Sequence, residues 1–234
     1  MGTEPISEFF DREACCRARR HGGEVSGVSK RLLDLLEDAA GLRERSVLEL
    51  GSGTGQLTVA MLRRGASTVT GIDLSPRSVE MARGLAGREG LAERVSFRAG
   101  DAAATDLPRH DVVVLDKVFC CYPNAERLLG SSIRAAGTVY AFVLPASDGF
   151  RGAMARVAVR LVNAWRTLRR VRFRAFVHDV PLIDEELRAS GFVPLRAARR
   201  WLWHVAVYRR EELLPETLRS AAATAMAGAA PTGS

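Results

Sequence analysis

Val47-Leu48-Glu49-Leu50-Gly51-Ser52-Gly53-Thr54-Gly55 is the stretch on which the reading of this chain turns. Val47 to Leu50 reads as a short buried strand, and a helix is predicted from Gln56 to about Arg64, ended by Gly65. Between them lie three glycines, at 51, 53 and 55. A glycine turn lets backbone approach a ligand where a Cβ would clash. The helix that follows turns unpaired N–H groups and the positive end of its dipole toward that ligand. The spacing GxGxG departs from the GxGxxG dinucleotide fingerprint, since position 56 is Gln. Glu49, two residues before the first glycine, can accept hydrogen bonds from an ammonium group, directly or through water.

Working outward, the pattern alternates. Leu32, Leu33, Leu35 and Leu36 predict a helix over 28–39 ahead of the first strand. A second strand, 68–72, ends at Asp73, and Ser75-Pro76 opens the next helix as cap and first-turn residue. Val95-Ser96-Phe97 begins a third strand before Gly100-Asp101, and Val112 to Leu115 is the continuous apolar run of a central parallel strand. Gly137 to Val143 is a fifth, Pro181 to Ser190 a crossover helix, and Phe192–Leu195 with Trp201–Tyr208 an antiparallel terminal pair. Strands alternating with helices predict an α/β fold: a mostly parallel, doubly wound sheet covered on both faces. Such sheets bind ligands beyond the carboxyl ends of their strands, where strand order reverses.

The candidate site residues all fall at such ends. A carboxylate at Asp73, 18 residues after Gly55, can accept both hydroxyls of a ribose. Asp101 can accept from an adenine amine while Ala102 or Ala103 packs on the ring. Three acids at the ends of three successive strands make a pocket for a cation, a diol and an amine. Glu49-Leu50-Gly51-Ser52-Gly53-Thr54-Gly55, Gly71-Ile72-Asp73-Leu74-Ser75 and Gly100-Asp101 resemble the first three motifs of class I S-adenosyl-L-methionine-dependent methyltransferases. The resemblance covers about residues 28–210. It implies a Rossmann-like sheet of seven strands, the last antiparallel, and S-adenosyl-L-methionine as cofactor. It further implies a cofactor set of Glu49, Gly51, Ser52, Gly53, Gly55, Asp73, Leu74, Asp101 and Ala102.

The acceptor side follows the fourth strand, in Asp116-Lys117-Val118-Phe119-Cys120-Cys121-Tyr122-Pro123. Asp116 and Tyr122 can orient an acceptor, and Tyr122 can also shield the sulfonium from water. The run resembles the corresponding segment of magnesium-protoporphyrin O-methyltransferases and related bacterial methyltransferases, which implies a small-molecule acceptor, one that carries a carboxylate being compatible. His178 is a candidate general base, needed only if the acceptor is a protonated hydroxyl, amine or thiol. No set of residues has metal-ligand spacing, and methyl transfer from a sulfonium requires none.

Bulk properties narrow the function further. Lys and Arg outnumber Asp and Glu by 34 to 27, for a net charge of +7. That excess admits an anionic partner, but nucleic acid is disfavoured: no recognition module accompanies the charge, and Asp116 is followed by Lys117-Val118 rather than by the Pro-Pro-aromatic turn of base-amine methylases. An NAD-dependent oxidoreductase would also use Asp73 for ribose, but the glycine spacing and Asp101 weigh against it. A non-catalytic cofactor-binding protein would keep the same fold and motifs. The cysteines form adjacent pairs, Cys15-Cys16 and Cys120-Cys121, without zinc or CxxC spacing. Residues 1–20 are charged and lack the apolar core of a leader, so a reduced, cytoplasmic protein is expected. Three regions are expected: an N-terminal helical arm over 1–27, broken at Gly22-Gly23; the main domain over 28–210; and a flexible tail over 211–234. Within the domain, 149–180 reads as a basic helical insertion. Its 149–177 stretch holds eight arginines and no acid, with Met154, Val157, Leu161, Trp165 and Leu168 on one helical face. A solvated face, a lid over an anionic acceptor and a peripheral membrane contact all fit that pattern. Oligomeric state is not legible.

Overall fold

The computed structural model describes residues 2–21 and 25–213. Most of the expected tail and the Gly22-Gly23 break lie outside the described residues; of the tail, 211–213 form a short 3-10 turn. Two helices lead the chain, α1 (Glu4–His21) and α2 (Gly27–Ala40), before strand β1 (Ser46–Leu50) and helix α3 (Gln56–Arg63). Strand β2 (Thr68–Asp73), helix α4 (Pro76–Arg88), strand β3 (Val95–Ala99) and strand β4 (His110–Asp116) follow. Then come α5 (Ala125–Ala135), β5 (Ala136–Pro145), α6 (Gly149–Leu168), α7 (Val180–Ala189), β6 (Phe192–Arg200) and β7 (Trp203–Arg210).

The local reasons are those of the sequence. Ser26 and Ser75 cap α2 and α4 by accepting from the backbone N–H three residues on, and Pro76 takes the first turn of α4. The sequence reading missed α5: Asn124 caps it, accepting from the backbone N–H groups of Glu126 and Arg127. Its apolar stripe is only Leu128, Leu129 and Ile133, short enough to pass for the edge of a strand. Strand β6 runs five residues beyond its expected end at Leu195, because residues 196–200 are three arginines and two alanines on a largely exposed edge and carry no alternating signal.

The seven strands form one sheet in the order β3-β2-β1-β4-β5-β7-β6. Pairings from β3 through β5 are parallel, and β7 is antiparallel to both β5 and β6. This is the Rossmann-like sheet expected. Helices α2 and α3 cover one face through Leu32, Leu36, Leu57 and Met61 on Val47, Val112 and Val139. Helices α5 and α7 cover the other through Leu128, Ile133, Ile183 and Leu187 on Leu48, Leu115 and Phe142. Strand order reverses between β1 and β4, so the connections leaving their carboxyl ends at Leu50 and Asp116 run to opposite sides and leave a crevice there.

Candidate active site

The floor of the crevice is the glycine turn. Backbone N–H groups of Gly51 and Ser52 donate to the Ile72 carbonyl at 2.7 and 3.2 Å, stitching the turn to β2. Gly51 has φ +70°, and a Cβ there would lie 2.5 Å from Val118 Cγ2. Gly55, at φ +89°, packs against Ala82, which a Cβ would meet at 3.0 Å. Both positions thus exclude a side chain by conformation and by space.

Asp73 holds this turn as well as facing the crevice. Gly53 N–H donates to its Oδ2 at 2.8 Å and Ser75 N–H to its Oδ1 at 2.9 Å. Glu49 is buried, and Thr58 Oγ1 donates to its Oε2. Burial raises its carboxyl from the ordinary 4.5 to about 8; the Thr58 hydrogen bond opposes the rise, while the charges of Asp116 and Asp73 add to it. An ammonium or sulfonium cation beside these acids would restore the ionised form.

Asp116 closes the far side. Ser29 Oγ donates to its Oδ2 at 2.5 Å, and Lys117 Nζ pairs with the same oxygen at 3.0 Å. Lys117, at φ +61°, turns back to donate to Ser29 Oγ at 2.7 Å and Ser26 Oγ at 3.0 Å. The start of α2 is thereby tied to the end of β4. Asp116 Oδ1 and Ser52 Oγ are buried without a hydrogen-bond partner among the described residues, and both residues line the crevice. An unsatisfied buried polar atom costs about 1–3 kcal/mol. A ligand with an ammonium and hydroxyl groups offers the donors these atoms lack, so the residues fit the nucleoside-amino-acid cofactor.

Tyr122 is buried against this wall, and its hydroxyl donates to Asp101 Oδ1 at 3.0 Å. Ala103 N–H donates to the same oxygen at 2.8 Å. Burial first, then the Asp101 charge, pushes the phenol well above its ordinary range, so it stays a neutral donor. His178 Nε2 donates to the Tyr122 carbonyl at 2.8 Å, and its ring stacks near Phe176. His178, Tyr122 and Asp101 form one chain of hydrogen bonds. Tyr122, Gly100 and Ala102 line the cavity, and Asp101 and His178 adjoin it through their hydrogen bonds to Tyr122.

A roof lies over part of the crevice. Ile6, Phe9 and Phe10 of α1 reach over the crevice and meet Phe173 and Arg166. Phe9 stacks on Phe173 with ring centroids 4.5 Å apart, and the Arg166 guanidinium lies over both rings, at 5.0 and 4.6 Å. Ser7 Oγ donates to the Leu74 carbonyl at 2.8 Å, and Asp11 accepts from Ser75 Oγ and from Arg77 N–H. The cavity so bounded is about 560 Å³, in the range of small-ligand sites.

The structure therefore gathers Glu49, Gly51, Ser52, Gly53, Asp73, Leu74, Ala102, Asp116 and Tyr122 on one cavity. Gly55 supports it from outside. Sequence reasoning missed Ser29, Lys117, Phe9, Phe10, Arg166 and Phe173. Ser29 lies in the first turn of α2 and Lys117 in the loop after β4, with no motif of their own. The aromatic residues and Arg166 come together only through the packing of α1 against α6 and the segment that follows it, which sequence spacing does not encode.

Comparison with known proteins agrees with this geometry. Residues 47–136 match the methyltransferase domain family. Ribosomal protein L11 methyltransferase of Haemophilus influenzae is 36% identical over 77 residues, 33% of this chain and 26% of that protein. Ajmaline N-methyltransferase of Rauvolfia serpentina is 28% identical over 159 residues, 58% of this chain and 55% of that protein. The chain thus spans from about a quarter to about half the length of these relatives. Among solved structures, magnesium protoporphyrin IX methyltransferase of Synechocystis with bound S-adenosylhomocysteine superposes with a TM-score of 0.66 at 19% identity, covering 88% of this chain and 97% of that one. Residues 47–136 thus match a methyltransferase domain family, and the whole sheet shares the Rossmann-like fold of the solved methyltransferase.

Proposed function

We propose that the protein transfers a methyl group from S-adenosyl-L-methionine to a small-molecule acceptor that is apolar or aromatic and carries an anionic group. The observation that carries this reading is the roof. Rings of Phe9, Phe10 and Phe173, with Val25 and Val28, make an apolar chamber above the acidic floor. Arg166 and Lys117 are the cations on its wall. A protein loop such as that implied by the L11 methyltransferase relatives would need the arm 1–27 to stand aside, whereas α1 is held down by Ser7 and Asp11. In this reading the arm and the 149–180 segment are covers laid on the 28–210 domain.

The cofactor supplies an electrophilic methyl carbon, and the bond to sulfur breaks, leaving a neutral thioether, as the bond to the acceptor nucleophile forms. Glu49 takes the ammonium end, Gly51 and Ser52 the backbone approach, Asp73 the ribose hydroxyls, and Asp101 with Ala102 the adenine edge. Leu74 packs beside that edge. Asp116 and Tyr122 orient the acceptor, and the aromatic roof excludes water, so alignment supplies most of the rate. His178 serves through the Tyr122 carbonyl, holding the tyrosine loop rather than meeting acceptor directly. A carboxylate acceptor oxygen needs no base. Four free thiols among the described residues support a reducing, cytoplasmic setting. No helix among those residues is long and apolar enough to cross a membrane.

Titration calorimetry with S-adenosylhomocysteine, then transfer of label from methyl-labelled cofactor into a metabolite extract, tests the reading. Saturable binding and label in an organic-extractable small molecule are expected, with Arg166→Ala raising the acceptor KM by about tenfold. Absence of binding, or selective saturation by NADH, would overturn the cofactor assignment. Label confined to precipitated protein or RNA would overturn the acceptor assignment.

A further inference from the structure

Helix α6 carries the basic segment, and its two faces are used very differently. Gly152 and Ala155 are its buried residues. A Cβ at Gly152 would meet the Ser147 carbonyl carbon and oxygen at 2.2 and 2.3 Å, so the helix lies directly on that backbone. Arg156 donates to the Ser147 carbonyl at 2.6 Å, and the Asn163 side chain bonds both ways to the Ala175 backbone, at 2.8 and 2.9 Å. These contacts fix the inner face.

The outer face is apolar and uncovered. Phe150 is 78% exposed, Leu161 66%, Trp165 56% and Leu168 84%, and Met154 and Val157 are exposed with them. At 3.6 residues per turn these six positions fall within an arc of about 80°. Gly152 lies about 180° from the middle of that arc and Ala155 about 120° from it, so the stripe points away from the body of the protein. Arg151, Arg160 and Arg169 fall about 80–100° to either side of its middle. Arg169 lies over the Trp165 ring, 5.2 Å from its centroid. No acid occurs from 149 to 177. At the N-terminal end of the helix, Arg199 pairs with Asp148, and Ala146 N–H donates to the Leu202 carbonyl at 2.8 Å. Those contacts bring the β6–β7 turn, with exposed Trp201, alongside.

We propose that α6 is a peripheral membrane-docking helix. Its apolar stripe enters the interface of an anionic bilayer, and the flanking arginines meet lipid phosphates. The charge pattern selects this occupant. An apolar stripe alone would suit a second copy of the chain, but pairing two such helices would bring two acid-free rows of arginine together. A surface of anionic headgroups is complementary to both parts at once: rings and aliphatic groups at the acyl boundary, guanidinium groups in the headgroup layer. The inference concerns the outer face of α6 and does not depend on which acceptor is methylated.

Flotation of the full chain with vesicles of phosphatidylcholine containing about one third phosphatidylglycerol tests it. Binding is expected at low salt and is expected to fall steeply by about 0.5 M salt. Pure phosphatidylcholine vesicles should bind about tenfold or more weakly, since each arginine near an anionic surface is worth about fivefold. Leu161→Glu/Trp165→Glu, checked for S-adenosylhomocysteine binding as a sign of folding, should float about tenfold less well. If that variant does not fold, Arg151→Gln/Arg160→Gln/Arg169→Gln replaces it, with loss of binding to anionic vesicles as the expected result. Quenching of the Trp165 indole by brominated lipid, lost in Trp165→Phe, should accompany binding. The proposal is overturned if the wild-type chain fails to float at low salt, if neutral and anionic vesicles bind equally, or if the folded variants float like the wild type. A dimer that dissolves on Leu161→Glu/Trp165→Glu, with no vesicle binding, would overturn it in favour of self-association.

Discussion

Glu49→Gln should make the cofactor-free protein more stable and its cofactor binding weaker. The Glu49 carboxyl is buried and pushed from an ordinary 4.5 to about 8. Between those values the folded chain holds a proton that the unfolded chain has released. Folding stability therefore falls as pH rises through the window, and is undiminished below about 4.5. At pH 7 the 2.5-unit gap corresponds to at most about 3 kcal/mol. Glutamine keeps the shape and can still bond to Thr58, but it cannot ionise. The difference in urea-unfolding free energy between variant and wild type should thus be near zero at pH 4.5 and grow toward about 3 kcal/mol at pH 7. Loss of the charge opposite an ammonium should weaken S-adenosylhomocysteine binding by about 10- to 100-fold. Wild-type binding at pH 7 should also release close to one proton, seen as a dependence of the calorimetric enthalpy on buffer ionisation. A stability difference independent of pH would refute the burial argument. Unchanged affinity in the variant would refute the placement of the ammonium.

The other two perturbations test how the site is wired. Asp73→Ala should weaken cofactor binding by about 1–3 kcal/mol, tenfold or more, because it removes both the ribose acceptor and the bond from Gly53 N–H that shapes the turn; equal affinity in a folded variant, by calorimetry, would reject the assignment. Tyr122→Phe should lower turnover and also weaken cofactor binding by about fivefold, since the lost hydrogen bond runs to Asp101; a fall in turnover with unchanged cofactor affinity would show that Tyr122 serves the acceptor alone.

What the sequence made legible was whatever is written in short contiguous pattern. The Glu49–Gly55 turn, Asp73 and Gly100-Asp101 each lie at or just past the end of a strand, and the strand fixes where they emerge; the crevice at the β1–β4 reversal brings Glu49, Asp73 and Gly100 onto one cavity. The acceptor wall was legible only in part. Asp116 and Tyr122 line the cavity as their place after β4 suggests, but the bond from Tyr122 to Asp101 joins residues 21 positions apart across two strand ends. His178 lies in a loop without regular structure, where no periodicity fixes a direction, and its ring turns to the Tyr122 carbonyl. The roof was illegible for a stronger reason. Phe9 and Phe173 stack across 164 positions of sequence, and the Arg166 guanidinium that covers them is one of eight similar arginines in its segment. Nothing in the 149–177 composition distinguishes the arginine turned inward from those turned out; the seating of Gly152 on Ser147, with the Arg156 and Asn163 bonds to Ser147 and Ala175, sets the rotation of the helix.

That seating also explains how one basic helix can serve two surfaces. Once Gly152 fixes the inner face, Arg166 is carried to the cavity and Trp165, one residue earlier, is turned toward solvent. The opposite cover, α1, is tied to the cofactor floor through three consecutive residues. Asp73 accepts from Ser75 N–H, Leu74 accepts from Ser7, and Ser75 both caps α4 and donates to Asp11. Floor and roof therefore share a backbone segment, and neither can shift without straining hydrogen bonds of the other. A substitution in α1 such as Asp11→Ala acts on the roof, yet its lost bonds end on Ser75 and Arg77, close to Asp73. Asp11→Ala is for that reason expected to weaken S-adenosylhomocysteine binding measured by calorimetry with no acceptor present, and unchanged affinity in a folded variant would refute the link through residues 73–75.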